Sequence, residues 1–408
     1  METNLADFIR DTPAGREADA ILRKCVHCGF CTATCPTYQL LGDELDGPRG
    51  RIYLMKQVLE GATPTERTQL HLDRCLTCRS CETTCPSGVQ YGRLVDIGRA
   101  VVDEQVGRSA GEKVKRWMLR AVIPHRSRFS ALLKLGQIAR PLLPGRVNRK
   151  VPQKVQRVVW PASTHQRKML VLEGCVQPAL SPNTNAAAAR VLDKLGISLV
   201  RAPQAGCCGA VSYHLNAQDE GLDYMRRNID AWWPYVEQGV EAIIVTASGC
   251  ASMIAEYGHL LRNDPAYRDK ALRISTLMKD ISEIILAEKD KIKSLVGNSN
   301  TWRKIAFHSP CSLQHGLKLK GTVERLLADL GFELTAVPDA HLCCGSAGTY
   351  SLLQPELSQR LLDNKIAALT SGKPDAIVTA NIGCQSHLQT ATELPLMHWI
   401  EALDARLE

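Results

Sequence analysis

Read by the spacing of its apolar positions, the chain changes character near residues 105 and 165. Up to about residue 105 the apolar positions recur every three or four residues. In GPRGRIYLMKQVLEG, Ile52, Met55 and Leu59 fall on one helical face, with glycines at both ends. PTERTQLHLDR follows, its proline suited to a first helical turn. YGRLVDIGRAVVDEQ then carries the helical spacing onward. From about residue 165, short β-rich runs alternate with longer helical ones. RKMLVLEGC and RKIAFHSPC each join a basic pair to a buried-strand-like run closed by a cysteine. Each leads into a helical segment ending in Leu-Gly (Leu195-Gly196, Leu330-Gly331), a second strand and a Cys-Cys-Gly triplet. A further helix then reaches AIIVTASGC or AIVTANIGC. This β-α-β-α-β order predicts parallel sheets with crossover helices. The expected fold is an α-helical domain followed by a duplicated α/β unit.

The duplication is written in cysteines as well. Cys175 and Cys311 are 136 residues apart, as are Cys207 and Cys343, while Cys250 and Cys384 are separated by 134. A period that long indicates a repeated domain rather than a solenoid. With Cys208 and Cys344, these eight thiols sit where predicted strands end, and parallel sheets bind ligands at those carboxyl ends. Each half therefore gathers four thiols on one edge. The expected domains are 1–105, a connector at 106–164, a first cysteine-rich domain at 165–262 and a second at 300–400.

The other eight cysteines carry the sharpest chemical signal. CVHCGFCTATCP, from Cys25 to Pro36, and CLTCRSCETTCP, from Cys75 to Pro86, both read C-x2-C-x2-C-x3-C-P. That is the two-cluster ferredoxin run, in which the last cysteine serves the other cluster. Two residues between thiols let a tight loop wrap three corners of a cubane, and the chain then carries the fourth thiol away. Proline fits after it because no backbone donor is needed there. The expected ligand sets are Cys25, Cys28, Cys31 and Cys85 for one [4Fe-4S] cluster, and Cys75, Cys78, Cys81 and Cys35 for the other. Structural zinc favours paired C-x2-C knuckles and has no use for a third close thiol, least of all twice. Two clusters with crossed ligands must lie close together, which suits single-electron transfer.

Composition narrows the class further. With 408 residues the chain can build two or three real cores, so its sixteen cysteines are not needed as staples. The opening METNLADFIRDTPAGREADA lacks a secretory pattern, and the longest uncharged apolar-looking run, AIIVTASGCASMIA, has fourteen residues where a span needs about twenty. A reducing cytoplasm is expected, where clustered thiols signal metal or redox chemistry. The net charge of +8 is uneven: residues 105–160 carry +13 and the remainder −5. No aromatic platform accompanies that charge, so nucleic-acid binding is not expected. Trp117, Leu119, Phe129, Leu132, Leu133, Leu135 and Ile138 lie among these cations, with Pro124 and Pro141 as helix breaks. The segment reads either as a basic amphipathic surface for lipid or a partner, or as a connector packed on the domain that follows.

The paired motifs, the flanking DGPRGRIYLMKQVLEG and LDRCLTCRSCETTCPSGVQYGRLVDIGR, and the two CCG units together resemble the glycolate oxidase iron–sulfur subunits, over essentially the whole chain. The resemblance implies a ferredoxin-type domain followed by two CCG domains, in a bacterial complex whose partner subunits carry FAD. Those partners would oxidise glycolate to glyoxylate, with D-lactate as a second substrate. This chain would pass electrons toward the respiratory chain at the cytoplasmic face of the inner membrane, possessing no catalytic residues of its own. The layout is also similar to the C subunit of anaerobic glycerol-3-phosphate dehydrogenase and to the catalytic heterodisulfide reductase subunits. No G-x-G-x-x-G follows a strand and opens a helix, so a flavin or nucleotide site on this chain is unsupported.

The CCG halves are less determined. Heterodisulfide reductases end the motif in C-x2-C; here Met253 and His387 replace the last cysteine. With Cys175, Cys207, Cys208 and Cys250 in one half and Cys311, Cys343, Cys344 and Cys384 in the other, three readings stay open. These are an iron–sulfur centre, a zinc site, or a metal-free remnant. His387 is a possible further ligand, because imidazole suits iron and zinc. Met253 reads as packing, and His308, His315 and His341 read as polar neighbours rather than ligands. Adjacent cysteines make strained disulfides, which argues against a dithiol pair.

Overall fold

The computed structural model describes residues 1–142, 144, 151–155, 159–162, 164–297 and 302–407. Part of the expected connector therefore falls outside the described residues. The amino-terminal region is helical, as its spacing predicts. Helix Pro48–Leu59 buries Ile52, Met55 and Leu59, and helix Tyr91–Val106 buries Leu94, Val95 and Val102 against it. The expected helix over PTERTQLHLDR runs Glu66–Asp73 and is started differently. Thr65 caps it and exchanges hydrogen bonds with Thr68, so Pro64 lies before the cap rather than in the first turn.

A buried polar knot ties these helices together. Asp46 has no exposed surface; Arg51 Nη2 lies 3.3 Å from one of its carboxylate oxygens and Arg74 Nη1 2.9 Å from the other. His71 Nδ1 approaches the same carboxylate at 3.1 Å. Arg51, itself buried, also donates to His71 O at 2.7 Å and to Thr37 Oγ1 at 3.1 Å. A carboxylate and a guanidinium out of water are tolerated only because each satisfies the other.

Two parallel four-stranded sheets follow, ordered β2-β1-β3-β4 and β6-β5-β7-β8. The strands are β1 (Arg167–Val171), β2 (Ile197–Arg201), β3 (Ile243–Val245) and β4 (Met278–Asp280), then β5 (Lys304–His308), β6 (Glu333–Leu334), β7 (Ala376–Thr379) and β8 (Leu396–His398). The fourth strand of each sheet was not expected from sequence, and β4 lies beyond residue 262, where the first cysteine-rich domain was expected to end. In both sheets the order reverses between the first and third strands to form, which opens a crevice at their carboxyl ends.

The halves share one core. Ala187, Val191 and Leu192 of helix Pro182–Lys194 belong to the same apolar cluster as Trp399, Ile400 and Leu403 of helix Trp399–Asp404. Polar bonds cross the seam: His398 Nε2 lies 2.8 Å from Thr246 O, and Ser248 N donates to Ala380 O at 3.0 Å. The helical domain docks on both halves. Glu256 receives Arg93 at 2.7 Å and Arg79 at 3.2 Å, and Tyr350 Oη donates to Arg74 O at 3.1 Å. Burial would raise the Glu256 pKa, but the two arginines outweigh it and hold the carboxyl below its ordinary value.

Helices Ala110–Val122 and Arg126–Ala139 form the described start of the connector, broken at Pro124 as expected. Arg116 is tied to Asp73 at 3.4 Å, and Arg120 to Glu220 at 2.7 Å. The second helix has no buried residue, and Trp117 (61% exposed), Leu135 (62%) and Ile138 (76%) face outward. No helix among the described residues is long and apolar enough to cross a membrane.

Replacing Asp46 by alanine strands Arg51 without its buried counter-charge. We expect Asp46→Ala to cost about 3–5 kcal/mol, measured as a lower denaturation midpoint of the full chain, with Asp46→Asn losing less.

Candidate metal centres

The two CxxCxxC loops are built alike because both must turn through the left-handed region between thiols. His27 and Gly29 in the first loop have φ of 57° and 84°; Thr77 and Arg79 in the second have 52° and 60°. For residues other than glycine that conformation costs roughly 1–2 kcal/mol each, so the same distortion at matching positions marks a functional constraint. The turns bring backbone N–H groups onto sulfur, as where Thr77 N lies 3.4 Å from Cys75 Sγ.

The fourth cysteine of each motif crosses over. Cys85 lines the same cavity as Cys25, Cys28 and Cys31, with Cys81, Ile52 and Tyr91 also in its wall, and lies within electrostatic reach of Cys25 and Cys31. Cys35 lies instead within electrostatic reach of Cys78 and Cys81. Eight thiols in two adjacent groups of four, held by loops already wound for convergence, form cradles that fit two iron–sulfur clusters.

The two cradles differ in polarity. In the first, Cys28 is exposed, as are Val26 and Phe30 beside it. Burial pushes the Cys31 thiol up to about 11, with Cys25 nearby adding to the rise. In the second, burial also pushes Cys78 and Cys81 well up. Cys75 goes the other way. Burial alone would raise it, but the Arg51 and Arg99 guanidinium groups outweigh that and bring it below the ordinary thiol value. Arg99 is fixed by Leu72 O at 2.7 Å, Cys75 O at 2.5 Å and Thr77 Oγ1 at 2.9 Å. Neither arginine was singled out in the sequence, where an arginine in a helix reads as solvent-facing.

The remaining eight cysteines sit at strand ends as expected. Cys175, Cys207-Cys208 and Cys250 follow β1, β2 and β3, and Cys311, Cys343-Cys344 and Cys384 follow β5, β6 and β7. The glycine of each triplet has a physical reason. Gly209 and Gly345 have φ of 91° and 87°, and a Cβ on either would stand 2.6 Å from a backbone oxygen of the neighbouring helix. That close approach lets Gly209 N reach Cys207 Sγ at 3.5 Å and Gly345 N reach Cys343 Sγ at 3.4 Å. In the first half the Cys207 thiol is held well below its ordinary value. Hydrogen bonds from Cys175 and Cys208, then from Gly209 N, and the charge of Arg227 all lower it, against the cost of burial.

The second half lies against the second cradle. Cys78, Cys311, Cys343, Leu76 and Tyr350 share one apolar cluster. His387 bonds through Nε2 to Ser358 Oγ at 3.1 Å. His315 joins Thr83 Oγ1 at 2.8 Å to His341 O at 3.1 Å, as a polar neighbour. Met253 is buried in the apolar cluster of the first half. His308 is placed close to two thiols: one of its ring nitrogens and the sulfurs of Cys344 and Cys384 all lie within 4.8 Å of one another, and all three residues are buried. The sequence signal was its place three residues ahead of Cys311, where Leu172 stands ahead of Cys175. A second convergent group, Asp43, Asp46 and His71, belongs to the knot in which arginines already occupy the Asp46 carboxylate.

Comparison with known proteins agrees with this layout. Residues 21–89 match the 4Fe-4S dicluster domain, and residues 169–255 and 305–389 match the cysteine-rich domain. Over the whole of both chains the sequence is 58% identical to the glycolate oxidase iron–sulfur subunit of Escherichia coli (strain K12). The chain belongs to the glycolate oxidase iron–sulfur subunit family. A probable member from Bacillus subtilis (strain 168) is 31% identical over 91% of this chain and 89% of its own. Lactate utilization protein A of Bacillus licheniformis is more distant, 25% identical over 57% of this chain and 97% of its own. Membership of the iron–sulfur subunit family makes this chain one component of an oxidoreductase complex with other subunits.

The arginines beside Cys75 should set the potential of the second centre. A unit charge some 7 Å away at an effective dielectric near 20 is worth about 2 kcal/mol. With about 59 mV per tenfold change in a one-electron couple, Arg99→Met should lower that midpoint potential by on the order of 50–100 mV. EPR-monitored titration of the full chain reads it.

Proposed function

We propose that this chain carries electrons within a flavin-dependent complex that oxidises glycolate to glyoxylate, with D-lactate as a second substrate. The observation that supports the reading is the placement of Cys85 beside Cys25 and Cys31 and of Cys35 beside Cys78 and Cys81. In this reading Cys25, Cys28, Cys31 and Cys85 hold one [4Fe-4S] cluster, and Cys75, Cys78, Cys81 and Cys35 hold the other. When bound, the clusters supply one-electron transfer between a partner's FAD and a quinone-linked acceptor. The protein's own residues set the conditions. Ile52 and Tyr91 wall the first cradle, the exposed Cys28 loop brings it to the surface, and Arg51 and Arg99 offset the negative charge gathered at the second. The substrate pocket and flavin belong to partner flavoprotein subunits.

The identity to the Escherichia coli subunit supports glycolate, and the distant lactate utilization proteins are consistent with a second 2-hydroxy acid. A place on the cytoplasmic face of the inner membrane is supported by the connector, where Trp117, Leu135 and Ile138 are exposed in a strongly basic segment.

The chain purified anaerobically with its neighbouring subunits should contain about eight irons in its two ferredoxin-type cradles and reduce dye with glycolate and D-lactate. Reduction by glycerol 3-phosphate alone would overturn the assignment. Cys85→Ser should remove the signal of the cluster served by Cys25, Cys28 and Cys31 while sparing the other. Loss of the Cys75 group's signal instead would show that the ligands are not crossed.

A further inference from the structure

The duplicated halves are not equivalent at the end of their central strands. Leu172 in the first half and His308 in the second stand at matching positions, three residues ahead of Cys175 and Cys311. The second half has thus gained a nitrogen donor in the crevice where its thiols gather.

We propose that the second half binds a metal atom through His308, Cys344 and Cys384, with His308 Nε2 as the nitrogen ligand. The inference rests on the reading of the chain as an iron–sulfur protein only in supposing that it is metal-loaded. Three elements contribute: the end of β5, the loop after β6 and helix Ile382–Leu388 after β7. One ring nitrogen of His308 and the sulfurs of Cys344 and Cys384 lie within 4.8 Å of one another. Bond lengths of roughly 2.3 Å to sulfur and 2.0 Å to nitrogen give tetrahedral edges of about 3.3–3.8 Å, so a contraction on the order of an ångström brings the three donors to metal-binding distance and leaves a fourth position open.

Surrounding contacts are those a metal-bound histidine and thiolates need. His308 Nδ1 lies 2.9 Å from Thr379 Oγ1, its partner in the β5–β7 register, which holds the ring and leaves Nε2 as the donor. Asn381 Nδ2 lies 3.3 Å from Cys384 Sγ and can donate to it as a thiolate. Cys343 and Cys311, whose sulfurs are 3.9 Å apart, extend the donor set toward Cys78 of the second cradle. Two sulfurs and an imidazole on one tetrahedral atom suit a mononuclear zinc or iron ion, with its fourth position left for a further ligand.

The test uses the full chain, purified anaerobically, as wild type, His308→Leu and His308→Cys. Leucine is what the first half carries at this position, so the variant is expected to fold. Metal analysis and X-ray absorption at the iron and zinc edges should find metal beyond that of the two N-terminal clusters, with nitrogen in its coordination shell. In His308→Leu that extra metal should fall at least tenfold, while the N-terminal EPR signals stay unchanged. In His308→Cys the metal should remain and the nitrogen scattering disappear. If the centre is paramagnetic iron, pulsed EPR should show a 14N coupling lost in both variants; if it is zinc, one zinc per chain should be lost in His308→Leu. Should His308→Leu fail to fold, the nitrogen signature in wild type and its loss in His308→Cys decide the matter. Wild type with no additional metal, or a His308→Leu variant retaining it with unchanged coordination, overturns the proposal. Absence of the N-terminal signals from wild type would instead count against the electron-transfer reading.

Discussion

Gathering several sulfur atoms in a pocket with little water is the constraint that shapes this fold. Each thiolate repels the next, and burial makes ionisation harder still, as the rise of Cys31 to about 11 illustrates. Cationic metal removes that opposition when it binds; the polypeptide must hold the sulfurs in place beforehand. It does so by spending conformational strain where the thiols converge. His27, Thr77 and Arg79 are held left-handed, and the triplet glycines allow backbone to approach backbone. Arg51 and Arg99 add an electrostatic correction on the side of Cys75. The Asp46 knot holds Arg51 in that position, so the helical scaffold and the electronic setting of the second cradle share a residue.

Features generated by local spacing were legible in the sequence. The helix Pro48–Leu59 and the strands ahead of Cys175 and Cys311 follow from apolar periodicity. Features generated by distant contacts were not. β4 is Met-Lys-Asp, three residues with no apolar run, and becomes a strand because β3 offers it a partner. His308 and Thr379 are 71 residues apart and meet through sheet register alone. Comparing the repeats position by position exposes the Leu172–His308 difference, whereas attention to the thiols passes over it.

Duplication supplied two crevices, and their surroundings have diverged. Arg227 stands near Cys207 in the first half. In the second, Cys311 and Cys343 pack with Cys78. A duplicated unit keeps its strand order because the core requires it, while residues at the strand ends are freer to change.

The seam between the halves also governs how the molecule can be made. Helix Pro182–Lys194 buries Ala187, Val191 and Leu192 against helix Trp399–Asp404, some two hundred residues later in the chain. During translation, the earlier unit emerges with that apolar stripe uncovered and keeps it so until helix Trp399–Asp404 has left the ribosome. Burial of that stripe is thereby tied to synthesis of the second half, and a product truncated ahead of helix Trp399–Asp404 would expose a sticky surface suited to chaperone capture or degradation.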